Sequence, residues 1–317
     1  MHPAKDDEGS TSHAPCDRAA QWDDFAAEYE KRVEPFTSQF AEMMIRPFLD
    51  EPAVSKCSGS DKEAKRAKHC IAVLDLGCGS GAASLIVMSH NKHFGNVVAT
   101  DASKSMVERT QQRMTERYGT EAPFSALTID GQCLPNKWTN RFDIVLSNFA
   151  VIFFPDPLQG MREMLRCLTP SSGVAAFTAW GNVDETPAFR VFPDVASELV
   201  PHLVATGKPK RITGSVAVLR SLMEQAGFVD VKVVGPITKT LEVNSAEDYY
   251  DRFALTSPPT AAMIGKMNVD TRKKFKDRVM ELAKERGGRR NGSIALKSSA
   301  YIAYGRRPRC SMYMPEY

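Results

Sequence analysis

No stretch of this 317-residue chain is apolar for long enough to cross a bilayer. The longest run, 144–155, is broken by Ser147 and Asn148 and falls short of the roughly 20 residues a spanning helix needs. No integral membrane span is expected. Paired cysteines are missing as well. The seven cysteines are odd in number and form no Cys-x-x-Cys spacing, which argues against a disulfide framework or a zinc site. Scattered thiols suit a reducing compartment, so a cytoplasmic location is expected. No His/Asp/Glu cluster has ligand spacing, and no metal is expected. An excess of charge of one sign is also lacking. The net charge of +3 is too small to demand a polyanionic partner. Basic clusters stand at 62–68, 208–211, 272–276, 286–290 and 306–309, but the near-neutral balance of the whole chain leads to the expectation of no nucleic-acid partner. The first 20 residues have no apolar core of the kind a signal peptide carries, and they read as a disordered tail.

What is present is ordinary for a globular chain, with 43% hydrophobic and 25% charged residues. The informative stretch is 73–84, Val-Leu-Asp-Leu-Gly-Cys-Gly-Ser-Gly-Ala-Ala-Ser. A β-prone run at 73–76 meets glycines at 77, 79 and 81, and helix formers resume at Ala82. That is a strand, a tight turn and a helix start, the layout of a nucleotide-binding βα unit. Glycine permits positive φ and removes the Cβ that would hold a ligand off the amide N–H groups. Asp75 stands at the strand's end, and Asp101 follows 20 residues after Gly81. Gly77, Gly79 and Ala82 would also satisfy a looser dinucleotide fingerprint, so the turn alone leaves two readings open.

The downstream residues separate them. Asp75 with Gly77, Gly79 and Gly81 resembles motif I of the class I S-adenosylmethionine (SAM)-dependent methyltransferases. Asp101, Ala102 and Ser103 are similar to that family's start of the second helix, and the segment from Asp130, Gly131 and Gln132 to Leu134-Pro135 resembles its adenine loop. A dinucleotide enzyme has no need of that loop. The resemblance implies Asp101 on the ribose hydroxyls, Met106 packed on the adenine and Asp130 at its amino group, with the amides of Gly131 and Gln132 framing the ring. Ser147 and Asn148 would lie near the methyl. The stretch from Phe153 to Pro157 and the Ala179-Trp180-Gly181 ending are similar to small-molecule members akin to the ubiquinone/menaquinone C-methyltransferases.

Strands at 73–76, 96–100, 124–129, 141–148, 174–179, 230–234 and 294–304 alternate with helices. They predict an α/β, doubly wound, seven-stranded Rossmann-like domain over 21–306, with a tail from 307. Helices are expected within 21–48, the second beginning after a break at Pro35, and 50–70 reads as a surface loop. Two segments read as lids: the Pro-rich stretch 182–214, with short helical pieces at best, and the helical insertion 245–286. The expected cofactor is SAM, and the expected partner is a small-molecule substrate in an apolar pocket of Trp22, Phe25, Tyr29 and Phe149. Tyr29, Asp156 and His202 lie near these segments, but no catalytic base is assigned. An RNA methyltransferase is the alternative, although the Asn/Asp-Pro-Pro-aromatic motif of base-amino methylases is replaced by Ser147-Asn148-Phe149-Ala150. A catalytically inactive SAM-fold protein that binds a partner is the other.

Overall fold

The computed structural model describes residues 22–50, 71–90, 94–204 and 214–309. The expected N-terminal tail and most of the 50–70 loop lie outside them. The chain runs α1 (Ala26–Arg32), α2 (Glu34–Asp50), β1 (Ile71–Leu76), α3 (Ala82–Ser89), β2 (Phe94–Asp101), α4 (Lys104–Tyr118) and β3 (Phe124–Thr128). It continues through β4 (Ile144–Ser147), α5 (Pro157–Cys167), β5 (Val174–Trp180), α6 (Pro187–Leu199), α7 (Val216–Ala226) and β6 (Val229–Val243). The last elements are α8 (Ala246–Ala254), α9 (Pro258–Gly265), α10 (Val269–Gly287) and β7 (Ile294–Arg306). Among the described residues no helix is long and apolar enough to cross a membrane.

The seven strands form one sheet in the order β3-β2-β1-β4-β5-β7-β6, with β7 antiparallel to both neighbours. β1 and β4 are buried nearly throughout, as parallel strands covered on both faces must be. Strand order reverses between β1 and β4, and ligands in such sheets bind in the crevice beyond the carboxyl ends at that point. One core layer holds Phe40, Phe142, Phe177, Phe192, Tyr249 and Phe275; the other holds Met44, Val73, Val87, Met88 and Ile144. α2 serves both, placing Phe36 and Phe40 in the first and Met44, Ile45 and Phe48 in the second.

Four expectations need correction. The N-terminal helices break at Val33, not Pro35, because a proline in the first turn of α2 gives up an N–H that has no helical partner there. The 182–214 stretch contains the 13-residue α6, whose Ala188, Val191, Phe192, Val195 and Ala196 are buried in the core. β6 is far longer than 230–234. Its pairing with β7 shifts register between Val234 and Ile237, around Pro236, and resumes as far as Val243↔Ile294. The supposed tail begins docked: Arg307 donates from Nη1 to the carbonyls of Arg166 and Leu168. The helical insertion stands as expected, with α8, α9 and α10 springing from the far end of the β6–β7 pair.

Candidate functional site

The glycine turn is anchored from beneath. The Gly77 and Cys78 amides both donate to the Thr100 carbonyl at 2.7 and 2.8 Å, tying the turn to the end of β2. Gly77 and Gly81 have φ of +69° and +94°. A Cβ at Gly77 would stand 2.2 Å from that of Ala150, and one at Gly81 would stand 2.9 Å from Thr110 Cγ2. Both glycines are therefore fixed by conformation and by crowding. A Cβ at Gly79 would meet only the Tyr29 ring, at 3.9 Å.

Asp101 is the last residue of β2 rather than a residue beyond it. Its Oδ2 accepts from the Gly79 amide and its Oδ1 from the Ser103 amide, each at 2.9 Å. The carboxylate thus joins the glycine turn to the start of α4, with further lone pairs free to accept. Burial raises its pKa, against the lowering effect of the Ser103, Gly79 and Ala102 amides. Ser103 caps α4 by accepting from the Met106 amide at 3.2 Å, and Met106 is buried. Ala102, between the two, is half-buried.

Asp75 serves the turn from behind. Its Oδ2 accepts from the Ser84 amide at 3.0 Å and from the Ser84 hydroxyl at 2.6 Å. Gly81 precedes α3 and has no side chain to cap it, so Asp75 supplies the missing acceptor from the strand. At 1% exposure it supports the turn rather than facing a ligand. Its Oδ1 has no hydrogen-bond partner, and burial pushes its pKa up to about 6.

On the next loop, Asp130 Oδ1 accepts from the Gln132 amide at 2.9 Å and from its side-chain Nε2 at 3.1 Å. Gln132 Oε1 accepts from the Asp156 amide at 2.8 Å, linking this loop to the one after β4. Gly131 helps seat Phe154, whose Cζ would lie 2.5 Å from a Cβ there. Ser147 is fully buried and its hydroxyl has no partner. Asn148 accepts at Oδ1 from the Thr178 hydroxyl at 3.0 Å and lines the cavity below.

Of the four expected pocket residues, Trp22 and Tyr29 are in ring contact. Trp22 meets Tyr29 and Phe153 edge-on, at 6.0 and 5.6 Å between ring centroids. Phe149 instead stacks on Trp180 and meets Phe40 edge-on, while Phe25 belongs to neither ring cluster. The cavity over the glycine turn measures only about 30 Å³, lined by Tyr29, Glu34, Thr37, Asn148 and the turn itself. Tyr29 faces Gly79 across it, 3.9 Å from where a Cβ would stand. A larger hollow of about 280 Å³ lies on the β2–β3 side, lined by Leu127, Trp138, Lys137 and Arg141, away from the turn.

The three candidate bases fare poorly. Burial pushes the Tyr29 hydroxyl up to about 12, with Glu34 and Asp101 nearby adding to the rise. Asp156 caps α5 through the Gln159 amide at 3.1 Å. His202 is exposed, in the short 3-10 turn that follows α6. The sequence reading missed Glu34 and Thr37 in the lining. Their residue types carry no motif, and only the fold brings them to the turn.

Residues 73–171 match the family model of a methyltransferase domain. The chain is 30% identical over 131 residues to an aklanonic acid methyltransferase, DauC, of Streptomyces sp. strain C5, covering 41% of this chain and 54% of that one. It is 30% identical over 100 residues to a demethylmenaquinone methyltransferase of Lactiplantibacillus plantarum, covering 32% and 41%. The matches thus span about half the length of these curated relatives. A candidate methyltransferase of Bacillus halodurans C-125, solved by crystallography, superposes with a TM-score of 0.50 at 20% identity, covering 78% of this chain and 96% of its own. At that identity the likeness shows the fold.

Proposed function

We propose that this chain, which belongs to the class I SAM-dependent methyltransferases, transfers a methyl group from SAM to a small apolar or aromatic acceptor. The observation that carries the cofactor half is the joint anchoring of Asp101 to the Gly79 and Ser103 amides, at the strand-order reversal. The residues fit the cofactor. The turn presents a backbone face without Cβ atoms, Asp101 offers carboxylate lone pairs for two ribose hydroxyls, and Met106 and the Asp130–Gln132 loop flank the place for the adenine. Bound there, SAM supplies a methyl already activated on a sulfonium sulfur, so the protein's task is to orient the acceptor and exclude water.

The acceptor half of the reading rests on aromatic density. Phe36, Phe40, Phe149, Trp180, Phe189 and Phe253 form a continuous ring cluster beside the ends of β4 and β5. Tyr29 stands over Gly79 and meets Trp22, which in turn meets Phe153. An apolar acceptor held between these groups would meet the methyl in a dry setting. In this reading α1 and the α8–α10 insertion act as lids, whereas α6 is a core element. Several cations of α10 that a polyanion would need are already paired: Arg278 with Glu198, Glu281 and Glu285, Arg286 with Asp194, and Lys276 with Glu247.

The test is an acceptor screen with methyl-labelled SAM over quinones, phenols, aromatic acids and total RNA. Label in an organic-soluble small molecule is the expected result. Label in RNA, with binding that weakens steeply as salt rises, would overturn the acceptor half.

A further inference from the structure

The strap formed by residues 22–34 is fastened to α4 by three carboxylates. Asp23 Oδ1 accepts from the Ser103 hydroxyl at 2.5 Å and from the Ser105 amide at 3.0 Å. Glu30 pairs with Arg109, and with Arg113 at 3.5 Å. Glu34, 8% exposed, takes both terminal nitrogens of Arg113 at 2.7 and 2.8 Å and accepts from the Ser80 hydroxyl. Arg113 Nη1 also donates to the Ser80 carbonyl at 2.6 Å. On the opposite side Arg32 ties the strap to α8 through Asp248 Oδ1, at 3.0 Å.

Two of these fastenings end on residues that set the cofactor site. Ser103 is the residue whose amide holds Asp101 Oδ1. Its single hydroxyl proton goes to Asp23, which turns a lone pair toward the Met106 amide. Ser80 lies between Gly79 and Gly81. Its hydroxyl proton goes to Glu34, and its carbonyl is held by the guanidinium that neutralises Glu34.

We infer that Asp23 and Glu34 are positioning residues for the cofactor, each holding one of the two loops that would grip it. Asp23 orders the ribose end through Ser103, and Glu34 orders the glycine turn through Ser80 and Arg113. This rests on the proposed use of SAM. Each loop is then ordered through its own fastening to the strap, so a ligand that grips a loop must also hold the strap down at that fastening, by reciprocal linkage.

The experiment uses the full chain, isothermal calorimetry and two probes, adenosine and S-adenosylhomocysteine. Adenosine reaches only the ribose and adenine end, while S-adenosylhomocysteine also reaches the glycine turn. Asp23→Asn should weaken both probes by about tenfold, the loss of one charge-assisted hydrogen bond in the chain of contacts. Glu34→Gln should weaken S-adenosylhomocysteine by about tenfold and leave adenosine within about twofold of the parent value. Hydrogen exchange adds a readout that loosened packing alone would not move. S-adenosylhomocysteine should slow amide exchange over 23–34 in the parent chain but not in Glu34→Gln. Parent-like affinities in both variants, or equal weakening of both probes in both variants with unchanged ligand protection of the strap, would overturn the inference. A parent chain that binds neither probe would remove the cofactor reading and this inference with it.

Discussion

The ring of Phe149 lies on the indole of Trp180, 3.9 Å between centroids and 17° from parallel. This contact holds the second residue after β4 against the end of β5, and it does so from a left-handed backbone, φ +58°, that a non-glycine residue adopts at a cost. The Thr178 hydroxyl completes the arrangement. It accepts from the Phe149 amide at 2.7 Å and donates to Asn148 Oδ1 at 3.0 Å.

Thr178→Val keeps the shape and removes both bonds. A buried amide left unpaired costs about 1–3 kcal/mol, so the midpoint of urea unfolding should fall with an unchanged slope. Turnover should fall more than cofactor affinity, because the loop it fixes borders the acceptor side. An unchanged midpoint would mean that Phe149 is held by stacking alone.

Asp101 answers to two substitutions. Asp101→Ala frees the Gly79 and Ser103 amides and removes the proposed acceptor of the ribose hydroxyls, and affinity for S-adenosylhomocysteine should fall by at least about tenfold. Asp101→Asn keeps one accepting oxygen and should lose less. Calorimetry giving equal affinity for parent and Asp101→Ala, or tighter binding of NADH, would remove the ribose assignment.

The cofactor side was legible because its signals are local. β1, the glycine turn and α3 follow one another without a break over residues 71–89, Asp101 ends β2, and Asp130 lies just beyond β3. What stayed hidden needed the third dimension. Nothing in the spacing of Asp23, Glu30 and Glu34 announces partners at Ser103, Arg109 and Arg113, about 80 residues away. α6 carried its apolar face at three- and four-residue spacing, but Pro187 and Pro193 outweighed it as apparent breakers. Pro187 sits in the first turn, where its missing N–H has no helical partner. Gly235 and Pro236 likewise masked the second half of β6, whose pairing resumes after a register shift. Phe149 reads as a pocket residue by position, but its left-handed backbone and its stacking partner Trp180 could not be read there.

Phe154 is lodged between two glycines. A Cβ at Gly131 would stand 2.5 Å from its Cζ, and one at Gly160 would stand 2.4 Å from its Cδ2. Gly160→Ala should therefore overpack the site and cost about 1–3 kcal/mol in spite of the better helix former. Phe154→Leu in the same chain should restore part of that loss, giving a double-mutant cycle that departs from additivity. Additive melting shifts would show that the ring moves aside freely.

Asp75 sets a pH dependence opposite to that of a salt-bridged carboxylate. Burial raises its folded-state pKa from 3.8 to about 6, with the Ser84 bonds opposing and Asp101 reinforcing the rise. The folded chain therefore binds the Asp75 proton more tightly than the unfolded chain does. Stability from this group is greatest below about pH 4 and declines as pH rises to about 6, then stays level. Asp101 shifts in the same direction, so the comparison must be made with a chain that retains it. Asp75→Asn supplies one: it retains an accepting oxygen for Ser84 and does not titrate. Between pH 4 and pH 7 the parent should lose stability relative to Asp75→Asn, on the order of 1–3 kcal/mol. Urea unfolding of both chains across that range measures the difference directly. Parallel profiles would mean that the Asp75 carboxylate finds, when charged, a partner for the oxygen that now has none.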